Sequence, residues 1–120
     1  MGLFRSSYRI ASGVLSDFTD AAGAERMSVP SLATFLLRGY VDGSIAVRST
    51  DQLVGGDHPR TLKDITLDRD LVTQADDRRA SEGVALSLGH LLEVLFDAYV
   101  RGMISISASG QAGGNPGPAI

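Results

Sequence analysis

The chain has no cysteine, no tryptophan and only two histidines among its 120 residues. The lack of cysteine excludes disulfides, thiolate catalysis and zinc sites with cysteine ligands. A long apolar run is also missing, because Arg5, Arg9 and several serines interrupt residues 1–18. We therefore predict neither a secretory signal nor a membrane span, and we expect the protein in the cytoplasm or in a virion.

Motifs that bind phosphate or metal ions are missing as well. The sequence contains neither Gly-x-x-x-x-Gly-Lys nor Gly-x-Gly-x-x-Gly, and the aspartates of residues 64–77 lack the spacing of an EF-hand loop. The two histidines, His58 and His90, are not placed beside a nucleophile by any pattern in the sequence. We predict no catalytic residue, no cofactor and no metal site.

Charge and length indicate the class of protein and of partner. A chain of 120 residues with 43% hydrophobic and 21% charged residues is typical of one globular domain. The net charge is −3, so the whole molecule has no general attraction for a phosphate backbone or an anionic membrane. A protein partner is therefore favoured over nucleic acid.

The strongest pattern in the sequence is a repeat of residues 32–49 in residues 91–108, at a constant offset of 59. Each copy has apolar residues at helical spacing, then a glycine suited to end a helix, then alternating apolar residues typical of a strand. The repeat predicts two packing units related by a local twofold axis. The matched pairs are Leu32 and Leu91, Leu36 and Leu95, Tyr40 and Tyr99, Val41 and Val100, Gly43 and Gly102, and Ile45 and Ile104.

The sequence predicts an α+β fold that is mainly helical, with three to four helices packed on a small two-stranded sheet formed by the strands of the two copies. A single domain covers residues 1–108, and a glycine- and proline-rich tail that we expect to be disordered on its own covers residues 109–120. Within the domain we predict an amphipathic helix (3–22), repeat unit one (28–49), a loop (50–61), a helical connection (62–80) and repeat unit two (82–108).

The outward faces of the two predicted strands suggest a contact surface. Edge strands usually carry lysine, proline or a bulge that blocks pairing with other chains, and the second strand has none of these. An edge of this kind can pair with a strand of another molecule. The candidate interface residues are Ser44, Ala46, Arg48, Met103, Ser105 and Ser107.

These observations predict a non-enzymatic structural or adaptor subunit. It would assemble with copies of itself or dock on a larger protein complex, for example a phage or virus particle. One alternative is a small DNA-binding transcriptional regulator of the winged-helix type, with residues 84–100 as recognition helix, although Glu93 and Asp97 have the wrong charge for a phosphate-lined groove. The other alternative is a small enzyme that uses His58 or His90.

Overall fold

A computed structural model describes residues 3–47, 59–85 and 87–103, which form two strands and four helices. In chain order these are β1 (Leu3–Ala11), α1 (Ser12–Ala24), α2 (Val29–Asp42), β2 (Arg60–Asp68), α3 (Arg69–Glu82) and α4 (Leu88–Val100). The two strands pair in antiparallel fashion and the helices pack on them. The predicted class, α+β and mainly helical with a two-stranded sheet, is confirmed.

The positions of the strands differ from the prediction. The predicted helix 3–22 begins with strand β1, and the predicted helical connection 62–80 begins inside strand β2. In β1 the buried Tyr8 and Ile10 alternate with the exposed Arg9, which is the two-residue period of a strand. Positions 4 and 8 share one face in a strand as well as in a helix, so the spacing of their residues did not distinguish the two.

The segment after α2 is buried as predicted, but it is not a strand of this sheet. Ile45 and Val47 are buried, whereas Ser44 and Ala46 are exposed. The backbone N–H of Ile45 donates to the carbonyl of Gly39 in the preceding helix. Most of the second predicted strand (104–107), most of the predicted loop 50–61 and the tail 109–120 lie outside the described residues.

The predicted helix ends of the repeat are found close to their expected positions. Ser28 caps α2 by accepting a hydrogen bond from the N–H of Ser31, and Pro30 lies in the first turn. Gly43, just after α2, has a φ of 86°, and Gly102, just after α4, has a φ of 79°. Both values lie in the left-handed region that favours glycine.

The order of elements divides the chain into two halves of similar construction. Each half is a strand followed by two helices, β1–α1–α2 and β2–α3–α4. The strand register pairs Leu3 with Asp68 and Ala11 with Arg60, so that it is centred on the pair of Ser7 and Asp64. This is the arrangement that a local twofold axis through the central pair would produce.

The core is built by helices of one half packing on helices of the other. α1 packs mainly on α4, and α2 packs mainly on α3. The rings of Phe18 in α1 and Phe96 in α4 are stacked, with centroids 3.7 Å apart, and both side chains are fully buried. Neither half therefore encloses a core of its own.

A polar cluster joins the end of α2 to α3. The hydroxyl of Tyr40 donates to Glu82, and Arg78 donates both to Glu82 and to the carbonyl of Val41. Burial, together with the bond to Glu82, raises the pKa of Tyr40. Burial alone would raise the pKa of Glu82, but hydrogen bonds from Arg78 and Tyr40 and the charge of Arg78 outweigh it and lower the pKa.

The two glycines at the helix ends make a stability prediction possible. Gly43→Ala and Gly102→Ala should each lower the free energy of unfolding by about 1–2 kcal/mol, because an alanine side chain disfavours left-handed φ. Gly13→Ala, at an uncrowded position inside α1, is the matched control and should raise it by up to about 1 kcal/mol. Urea denaturation measures all three. A stabilising effect at residue 43 or 102 would contradict the left-handed helix ends.

The polar cluster predicts a specific dependence of stability on pH. Because the pKa of Glu82 is lower in the folded protein, its stabilising effect is complete above the unfolded value of 4.5 and is lost as the pH falls through the folded value. Glu82→Gln should therefore lose less stability than the wild type on acidification across this range. Thermal melts at stepped pH measure this difference, and parallel curves for the two proteins would argue against it.

Candidate functional site

The two faces of the ribbon formed by β1 and β2 have opposite surroundings. Residues paired across an antiparallel ribbon point to the same face. The inner face carries the buried Tyr8, Ile10, Ile65 and Leu67, which join the core. Burial is the main reason that the pKa of Tyr8 is raised.

The outer face of the ribbon is open to solvent. Its three central pairs are Arg5 with Thr66, Ser7 with Asp64, and Arg9 with Leu62. Five of these six residues are exposed and Thr66 is half-buried. We call these six residues the outer ribbon face. It presents two cations, one anion, two hydroxyl groups and one apolar side chain.

Interactions within the outer ribbon face are few and weak. The hydroxyl of Ser7 donates to the carboxylate of Asp64, and Arg5 Nε lies 4.0 Å from Asp64 Oδ2. The side chains of Arg5 and Asp64 are 72% and 56% exposed, so water and salt screen this ion pair strongly. Among the described residues, Arg9 has no ion-pair partner. Both arginines on β1 can therefore turn towards a ligand at little cost.

The end of the ribbon is held by a buried carboxylate. Glu93 in α4 is fully buried and accepts hydrogen bonds from the backbone N–H of Ala11, at 2.8 Å, and from the guanidinium of Arg60. Ser12 adds two contacts across the strands, to the hydroxyl of Thr61 and to the carbonyl of Pro59. The outer ribbon face is thus fixed to the helical core.

The start of α4 lies beside β1. A Cβ at Gly89 would be 3.7 Å from the carbonyl oxygen of Arg9 and 3.8 Å from Cβ of Tyr8. Ser87 caps this helix by accepting a hydrogen bond from the N–H of His90. On the other strand, α2 packs against β2. A helix therefore packs against each strand, and the first turn of α4 lies next to the ribbon.

The predicted interface residues that the structure describes lie outside the ribbon. Ser44 and Ala46 are exposed, and the hydroxyl of Ser44 donates to the carbonyl of Gly39. Met103 is also exposed. The other three candidates, Arg48, Ser105 and Ser107, lie outside the described residues.

The candidate catalytic and recognition residues that the structure describes are largely buried. His90 is buried, with 4% of its surface exposed, and His58 lies outside the described residues. Most of α4 is buried, including Glu93, so the predicted recognition helix has no long exposed face with which to contact a ligand. In the described part of the chain, no group of three or more histidines and carboxylates could hold a metal ion.

The outer ribbon face was not predicted, because its six residues lie in segments 3–22 and 62–80, which the sequence predicts to be helical. The signal that could have found it is the alternation of Arg5, Ser7 and Arg9 with the apolar Tyr8 and Ile10.

Comparison with known proteins finds no matching family model, no matching curated protein and no matching solved structure. None of the described helices is long and apolar enough to cross a membrane.

The buried ion pair predicts unequal effects of removing its two members. Arg60→Gln should cost about 3–5 kcal/mol, because it takes the cation from a fully buried carboxylate. Glu93→Gln should cost less, about 1–3 kcal/mol, since Arg60 is 21% exposed and can be solvated in part.

The matched control is Arg101→Gln, which breaks the exposed pair with Asp97 and should change stability by less than about 1 kcal/mol. Urea denaturation gives the three values. Equal losses for Arg60→Gln and Arg101→Gln would show that the buried pair does not hold the ribbon.

Proposed function

We propose that this protein is a DNA-binding protein that places its two-stranded ribbon in the major groove of duplex DNA. The observation that carries the proposal is an antiparallel ribbon with an open outer face and a buried inner face, with Arg5 and Arg9 on the open side. The major groove of B-DNA is wide enough to admit such a ribbon, and known β-ribbon proteins bind there.

The side chains of the outer ribbon face are suited to contact base edges. Arginine donates in bidentate fashion to guanine O6 and N7, and aspartate accepts from cytosine N4. Serine and threonine can bond to several bases, and an apolar side chain such as Leu62 can contact the thymine methyl group. Each of the six side chains is therefore of a type that can contact a base edge in the major groove.

The rest of the fold supports binding by this face. The ribbon is held by a buried inner face and by Glu93, so little order would have to be gained on binding. The start of α4 lies beside β1, where its backbone N–H groups can approach a phosphate at the edge of the groove. Phosphate contacts of this kind set the position of a protein on DNA, while base contacts give specificity.

The overall charge of the protein does not conflict with this proposal. The net charge is −3, but α1 and the following loop carry the exposed acids Asp17, Asp20 and Glu25, whereas β1 carries two exposed arginines. Local charge at the contact face governs the interaction with phosphates, because salt screens charges more than about 8–10 Å apart. The ribbon thus leads us to favour nucleic acid as the partner, although the net charge of the chain disfavours it. We also propose that DNA is bound by the ribbon and not by a winged-helix recognition helix.

Assembly with copies of itself or with a larger complex remains our second proposal. Its support is the exposure of three large apolar side chains in the helical part, Phe35, Val100 and Met103. Native mass spectrometry at high concentration is the test. A sole species at the 12.6 kDa of the monomer, with no partner recovered, would contradict it.

The DNA proposal predicts that the arginines of β1 are needed for affinity. Arg5→Ala and Arg9→Ala should each weaken binding to duplexes selected from a random library by about 5- to 150-fold, through loss of a base contact worth 1–3 kcal/mol. Fluorescence anisotropy at fixed salt measures the affinity. The variants should keep the wild-type melting temperature, because both side chains are exposed.

Arg101→Ala is the matched control for the loss of one positive charge. Arg101 follows the far end of α4, about 20 Å along the helix axis from the start that lies beside β1. We expect less than a threefold change in affinity for this variant. Equal losses at Arg9 and Arg101, or no enrichment of any duplex, would rule out binding by the ribbon.

A further inference from the structure

The two strands of the ribbon present different side chains at equivalent positions. The register is centred on Ser7 and Asp64, so that Arg5 corresponds to Leu62 and Arg9 corresponds to Thr66. None of the three outward positions keeps its chemical type between the strands.

The buried positions of the inner face are more alike. Tyr8 corresponds to Ile65 and Ile10 to Leu67, and all four side chains are buried. The half-buried Ser6 and Lys63 of the same face differ. Only the buried positions are therefore apolar in both strands, whereas every outer position differs.

The two halves belong to one chain, and this determines the symmetry of the DNA site that the ribbon can match. A ribbon made from two identical chains presents every outer side chain twice, and the matching DNA site is then palindromic. Here one chain supplies both strands, so the two halves of a bound site meet unlike groups. One end of the ribbon offers Arg5 beside Thr66, and the other end offers Arg9 beside Leu62, with Ser7 and Asp64 between them.

We propose that a single copy of this chain recognises a non-palindromic duplex site, with guanines facing Arg5 and Arg9 and with cytosine or thymine facing Asp64 and Leu62. This inference rests on the proposed function and specifies its ligand. Arginine selects guanine through O6 and N7, aspartate selects cytosine through N4, and leucine selects the thymine methyl group.

Selection from a random duplex library tests the inference with the full chain. The wild type should enrich a motif without inverted repetition, and native mass spectrometry should find one chain on each selected duplex. An inverted-repeat motif, or two chains on each duplex, would overturn the inference while leaving DNA binding intact. Failure to enrich any duplex would overturn both this inference and the proposed function.

A symmetrised variant provides the sharper test. Leu62→Arg, Asp64→Ser and Thr66→Arg together give β2 the outer residues of β1, at positions that are exposed or half-buried. The variant should enrich a palindromic motif, because its two strands then present the same outer residues. We expect it to prefer that palindrome over the wild-type site by at least about tenfold, and the wild type to show the reverse preference.

Two controls keep this comparison decisive. Circular dichroism and the melting temperature should confirm that the triple variant is folded. Arg101→Ala should enrich the same non-palindromic motif as the wild type, since it lies away from the ribbon. If the folded triple variant still selected the wild-type motif, the outer residues of β2 would not determine the site, and the inference would be wrong.

Discussion

The pairing of β1 with β2 is the constraint on which the rest of this structure depends. A two-stranded ribbon is marginally stable in water unless helices cover one face. Here the covering helices come from both halves, because α1 packs on α4 and α2 packs on α3. The stacked rings of Phe18 and Phe96 belong to this packing between halves. Separating the strands would therefore expose the apolar residues of both halves together, so ribbon and core should fold as one cooperative unit.

The two halves differ in how the strand is joined to the first helix. In the second half, Asp68 caps α3 by accepting a hydrogen bond from the N–H of Leu71. The corresponding residue of the first half, Ala11, has no side chain that could cap α1. Its N–H is instead bound by Glu93, which also pairs with Arg60. The buried ion pair thus stabilises a junction that lacks a local cap, in contrast to the capped junction of the second half.

The sequence was sufficient to predict the second helices of both halves and their glycine ends, but not the ribbon. In the repeat, Leu32, Leu36, Leu91 and Leu95 are fully buried, because helical spacing of leucines identifies one face without ambiguity. The strands were missed since short segments such as β1 contain apolar spacings that fit both periods. The predicted repeat, at an offset of 59, includes the second helices but not the strands, because the strands lie 57 residues apart.

Joining the two halves in one chain changes which residues can vary independently. In a ribbon made from two copies of one chain, each substitution alters both strands and must suit both halves of the ligand. In this chain the outer positions of β1 and β2 are separate, so Arg9 and Thr66 can differ without affecting each other. The inner positions have no such freedom, because Ile10 and Leu67 share one close-packed core. The buried inner positions are therefore apolar in both strands while the outer positions differ, and this contrast is consistent with the outer ribbon face as the proposed ligand surface.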